Sequence, residues 1–133
     1  MQLFPYTPKV ASPAGPRILI VEDQAPIALH LGMLMQKWGY GIAGWAVSGN
    51  QALDAIQYYP PDLVIVNFKL QGHMNGLELV GRIQARWQIP VLFFSGIDGR
   101  DLPSMLFQRQ KVQFLAKPIQ PKQLQTSLSQ MLA

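Results

Sequence analysis

Five short, almost wholly apolar runs punctuate the chain, and each is followed by a stretch with helical periodicity or a helix-starting residue. The runs are RILIV at 17–21, GIAGWAV at 41–47, DLVIVN at 62–67, PVLFFS at 90–95 and VQFLA at 112–116. A strand with one face in water alternates apolar and polar residues. A run that is apolar throughout predicts a strand covered on both faces. Between the runs, Ile27, Leu31, Leu34 and Trp38 recur at helical spacing, with Pro26 in the first turn and Gly39 at the end. Residues 49–59 predict a second helix stopped by Pro60 and Pro61. Asn75 caps a third helix through Leu77, Val80, Ile83 and Trp87. A fourth helix over about 102–109 starts near Pro103, which a helix interior does not accommodate. The last covers 120–132, with Leu124, Leu128 and Met131 on one face. Strands and helices in alternation predict an α/β fold: a parallel sheet with helices on both faces, joined by right-handed crossovers.

The chain has 133 residues, one domain's length, and no Cys. Disulfides and thiolate metal sites are therefore excluded, and a cytoplasmic location fits. No apolar run nears the ~18 residues of a membrane span, and no signal peptide is evident. Residues 1–16 hold Pro5, Pro8, Pro13 and Pro16 and read as a Pro-rich tail or linker ahead of a domain at 17–133. The net charge of +4 comes from basic residues scattered along the chain, without interleaved aromatics. This predicts a solvated surface, not a nucleic-acid interface. Only 14% of residues are charged against 49% hydrophobic, a balance that leaves apolar surface for a protein partner.

In doubly wound sheets, ligands sit outside the carboxyl ends of the strands. The residues there are Glu22 and Asp23 after the first run, Asn67 after the third, Ser95 and Gly96 after the fourth, and Lys117 after the fifth. Adjacent carboxylates suit a hard divalent cation. A Lys and a hydroxyl beside them suit an anion next to it, the requirement of a phosphoryl group bridged to a metal.

The motifs ILIVEDQ, DLVIVNFKLQGHMNGLEL, PVLFFSG and FLAKP, in this order and spacing, resemble the response regulator receiver domain of two-component signalling. The likeness spans Arg17 to about Ala133. It implies a flavodoxin-like five-stranded parallel sheet of order 2-1-3-4-5. It implies that Glu22 and Asp23 bind Mg2+ with the residue at 67 and the backbone carbonyl of Lys69. It implies that Ser95 and Lys117 contact a phosphoryl group, and that Ser95 and Phe114 move on switching. The implied partners are a histidine kinase, a phosphotransfer protein or an output protein.

The family's phosphoacceptor is an Asp, and here that position holds Asn67. A carboxylate oxygen attacks phosphorus to form an acyl phosphate, whereas a neutral amide oxygen is a far weaker nucleophile. The expectation is a receiver that signals by binding, is not phosphorylated, holds Mg2+ weakly and is not an enzyme. A form with Asp at 67 would catalyse its own phosphorylation and dephosphorylation. Two origins of Asn67 stand open: a naturally degenerate pseudo-receiver, or a deliberate Asp-to-Asn change in a phosphoaccepting regulator. The domain is either free-standing or cut from a larger protein such as a hybrid histidine kinase.

Three departures from the family pattern stand out. The loop FKLQGHMNG is one residue longer than the common form, with Gln71 where a Pro is usual. Pro103 shortens the fourth helix. Gln110 and Lys111 replace a Gly-Ala turn. The last two bear on the fourth helix, fifth strand and fifth helix, the family's partner surface, so a standard dimer is not implied. GYGIAG at 39–44 matches a nucleotide fingerprint only by chance, because a helix precedes it and a strand follows. His30 and His73 lack ligand spacing and read as surface residues. Leu29 and Met33, off the first helix's main stripe, read either as a partner patch or as part of a wide apolar face.

Overall fold

The computed structural model describes residues 15–96 and 111–133. Its strands are β1 (Arg17–Val21), β2 (Gly41–Ala46), β3 (Leu63–Asn67), β4 (Val91–Ser95) and β5 (Val112–Ala116). They form one sheet of order β2-β1-β3-β4-β5 in which every pairing is parallel. The described helices are α1 (Ala25–Lys37), α2 (Gly49–Tyr58), α3 (Gly76–Arg86) and α4 (Pro121–Met131). The expected helix over 102–109, with Pro103, and most of the Pro-rich segment lie outside the described residues. Next to β1, the Pro16 carbonyl accepts from Gly41 N at 2.8 Å.

Successive side chains of a strand point to opposite faces, so the apolar runs divide between two cores. Leu19, Val21, Val64, Val66 and Phe93 face α2 and α3, meeting Ala52, Ile56, Leu79 and Ile83. Ile18, Ile20, Leu63, Ile65, Leu92 and Phe94 face α1 and α4, meeting Ala28, Leu31, Met35, Leu124 and Leu128. Both faces are covered, which is why the strands read as continuous apolar runs.

The buried stripe of α1 is rotated from the one the spacing predicts. It runs through Ala28, Leu31, Gly32 and Met35, while Ile27, Leu34 and Trp38 are only partly buried beside it. Ala28 and Gly32 have little or no side chain, so this is the line along which the helix comes closest to the sheet. Leu29 packs partly buried on the same core, whereas Met33 is 63% exposed, so the two residues do not form one patch. In α3 the helix ends at Arg86, one residue before Trp87. Trp87 is extended, packs partly buried on the core, and carries the Arg86 guanidinium 4.4 Å over its ring. Asn75 caps α3 as its sequence predicts, its side-chain oxygen accepting from Glu78 N at 2.8 Å. Replacing Asn75 with Ala is expected to cost about 1 kcal/mol in urea unfolding, by removing that acceptor.

The extra loop residue is absorbed without disturbing the strands. Gln71 pairs with Ser48 in an isolated bridge and donates its N–H to Val47 O at 3.0 Å, and Gly72 turns the chain at φ 86°. Before β5, Lys111 takes φ 75°, a left-handed conformation. Glycine adopts that region freely, while other L-residues enter it at a cost of about 1 kcal/mol.

Candidate functional site

The carboxyl ends of β1, β3, β4 and β5 place Glu22, Asn67, Ser95 and Lys117 along one edge of the sheet. Glu22 and Ser95 are buried at 2% and 1% exposure, and Asn67 at 5%. Asp23 is half-buried and Lys117 is exposed. The β4 and β5 ends are joined directly, Lys117 N donating to Ser95 O at 3.1 Å. His30 and His73 are both exposed.

Glu22 sits where β1 leaves the sheet, and several groups hold it. Its backbone N–H donates to Ala46 O at 2.9 Å, and its carbonyl accepts from the Trp45 indole Nε1 at 2.6 Å. Its carboxylate accepts from Gln24 N at 3.3 Å and from Asn67 Nδ2 at 3.2 Å. Burial pushes the Glu22 carboxyl up to about 7, and the neighbouring Asp23 carboxyl adds to that, against the Gln24 N–H and the Lys117 charge.

Asn67 Nδ2 also donates to the Lys69 carbonyl at 2.7 Å. The lengthened loop therefore still delivers the Lys69 carbonyl to the site. The Asn67 and Asp23 Oδ1 atoms are buried without a hydrogen-bond partner. Phe114 is half-buried on the α2 and α3 side, its ring 6.2 Å from that of Phe93, which in turn meets Phe68 at 6.3 Å. It thus packs against the core from β5, the edge strand of the sheet.

A divalent ion at this place would take oxygen ligands from Glu22, Asp23, position 67 and the Lys69 carbonyl. As arranged, the residues do not fit one. The side chain at 67 presents N–H hydrogens, not an oxygen, to both Glu22 and Lys69 O. Among the described residues, no three His, Cys, Asp or Glu side chains converge.

Two site features are missing from the sequence reading. Trp45 is apolar in the pattern, and nothing in its spacing signals the bond to Glu22 O. Gly76 begins α3 against the end of β3: its N–H donates to Phe68 O at 2.6 Å, and a Cβ added there would lie 2.1 Å from the Asn67 carbonyl oxygen. The Asn75-Gly76 pair in the loop was the available signal, and it reads only as a helix start.

Comparison with known proteins gives the family and the fold. The sequence matches the family described as the response regulator receiver domain over residues 18–129. It is 29% identical over 102 residues to the transcriptional regulatory protein PdtaR of Mycobacterium tuberculosis, covering 77% of this chain and 49% of that protein. It is 29% identical over 126 residues to the phyllosphere-induced regulator PhyR of Methylorubrum extorquens, covering 93% of this chain and 46% of that protein. The chain thus spans about half the length of the curated relatives it matches. Its fold superposes on the signal receiver domain of a putative Luxo repressor protein from Vibrio parahaemolyticus. The TM-score is 0.79 at 29% identity, over 89% of this chain and 90% of that one. The receiver domain of PhyR from Erythrobacter litoralis gives a TM-score of 0.73 at 27% identity, over 89% and 90%. No helix of the described residues is long and apolar enough to cross a membrane.

Proposed function

Because this chain belongs to the response regulator receiver family, we propose that it serves two-component signalling as a binding module that does not accept a phosphoryl group. One observation carries this reading: the side chain at the acceptor position is an amide whose nitrogen is engaged by Glu22 and the Lys69 carbonyl. Its oxygen has no negative charge to bring to phosphorus, and no carboxylate stands in its place. Ser95 and Lys117 remain at the neighbouring strand ends, where they would contact an anion in a form with Asp at 67.

In this reading the chain is not an enzyme, acts in the cytoplasm and works through contact with a histidine kinase, a phosphotransfer protein or an output protein. A groove supports the contact. It is an apolar cavity of about 350 Å³ between α1 and the segment after β5, lined by Ile27, His30, Leu34, Lys117, Pro118 and Ile119. Lys117 belongs to both groove and site, so a partner seated there would touch the strand ends. The curated relatives are about twice as long as the stretch they share with the chain, which favours a receiver that works beside a further segment.

Incubation with acetyl phosphate and Mg2+, followed by intact-mass spectrometry, tests the proposal. The chain is expected to stay at its own mass, and Asn67→Asp to gain a phosphoryl adduct of about 80 Da. An adduct on the chain itself overturns the reading. An adduct only on Asn67→Asp shows that Glu22, Asp23, Ser95 and Lys117 still form a competent site around a single changed side chain.

A further inference from the structure

We propose that the Asn67 carboxamide stands in for the divalent ion: its N–H groups tie the Glu22 carboxylate on β1 to the Lys69 carbonyl in the β3–α3 loop, so that the acidic cluster is assembled without metal. The inference rests on the receiver reading and extends it from a missing nucleophile to a replaced cation.

The geometry is that of a bridge. Nδ2 lies 3.2 Å from Glu22 Oε2 and 2.7 Å from Lys69 O. A carboxylate at 67 would set a further oxygen among these oxygens, and oxygens of this kind are reconciled only by a cation or a proton. An amide nitrogen carries two N–H hydrogens and therefore supplies two donors where the cation would supply charge. Turning the amide over would put Oδ1 against the Lys69 carbonyl, which has no proton to share, and would lose the shorter of the two bonds. The remaining acceptor of the amide, Oδ1, is buried and unpartnered, so all of its bonding runs through the nitrogen.

A divalent ion must therefore displace these bonds before it coordinates. Loss of one negative charge weakens metal binding by itself. The amide adds competition, and the two effects separate in a variant that lacks both the charge and the amide.

The test is Mn2+ binding by electron paramagnetic resonance and thermal unfolding in EDTA or Mg2+, on the chain, Asn67→Asp and Asn67→Ala. In EDTA, Asn67→Ala is expected to melt below the parent, because Glu22 and Lys69 O lose their donor. It is also expected to bind Mn2+ more tightly than the parent, although neither has a charge at 67. Asn67→Asp is expected to bind at least about tenfold more tightly than the parent. The melting temperature of the parent is expected not to move with Mg2+. Parent binding equal to that of Asn67→Asp, or Mn2+ binding by Asn67→Ala no tighter than the parent's, overturns the proposal. Should Asn67→Ala not fold, the side-chain NH2 resonances of Asn67 decide in the parent itself. They are expected to stay in place as Mg2+ is added, and movement on addition overturns the proposal. Phosphorylation enters none of these measurements, so a failure here and a failure of the functional reading are distinct results.

Discussion

Replacing Gly76 with Ala is expected to lower the unfolding free energy by roughly 3 kcal/mol or more, with the fold retained only marginally. The reason is space, not backbone conformation. An added Cβ would lie 2.1 Å from the Asn67 carbonyl oxygen and 2.8 Å from its carbon, and 2.9 Å from the Phe68 Cα. All three are backbone atoms at the end of a strand paired to β1 and β4, so no flexible side chain gives way. Either β3 or the start of α3 must move, and the Gly76 N–H bond to Phe68 O at 2.6 Å is the contact that parts. Gly81, later in α3, is the control: a Cβ there meets nothing within 4 Å. Gly81→Ala is expected to stabilise by about 0.5 to 1 kcal/mol through helix propensity alone. Urea unfolding of both variants checks the pair. Parent-like stability in Gly76→Ala would show that the close approach at the end of β3 has been misread.

The second large effect is one of pH. Glu22→Gln is expected to match the parent near pH 4 and to exceed it by up to roughly 3 kcal/mol at pH 8, measured in EDTA. The folded carboxyl lies at about 7 against an ordinary value of 4.5. Between those values the folded state keeps a proton that the unfolded chain has released. Stability from this group is therefore fully present below 4.5 and is lost as pH rises through about 7. Gln keeps an acceptor for Asn67 Nδ2 and has nothing to ionise, so its curve lacks that fall. The quantity to read is the difference between parent and variant across the pH range, since the distant carboxylates cancel in it and what remains belongs to Glu22 together with its neighbour Asp23. A difference that does not change between pH 4 and 8 would mean that Glu22 titrates as an ordinary surface acid.

Both effects meet at β3, where the architecture was legible and the arrangement was not. The apolar runs foretold each strand, because a sheet covered on both faces keeps its strands mostly apolar up to their carboxyl ends. The alternation with helices, together with the rule for crossovers, foretold a parallel sheet. The reading of α1 failed by a fraction of a turn. Ile27, Leu34 and Trp38 are the larger side chains, but Ala28 and Gly32 allow closer contact, and pattern weighs size where packing weighs distance. Trp45 went unnoticed as a site residue for a related reason: its indole N–H is invisible in an apolar tally, and its bond to Glu22 O crosses between neighbouring strands.

What the sequence determined by itself was local: which segments are strands or helices, that Asn75 starts α3, and which residue types stand just after each strand. Those features follow from spacing and from the chemistry of single side chains, neither of which needs a neighbour. What only the tertiary structure decided was the state of Asn67. In the sequence it is a carboxylate's shape without its charge. In the fold, strands 45 residues apart bring Glu22 within 3.2 Å of its nitrogen. The loop beyond it turns the Lys69 carbonyl to the same atom, and the residue becomes a donor that bridges two oxygens. Which oxygens face which hydrogens is set by the packing of β1 against β3, and no spacing along the chain carries that information.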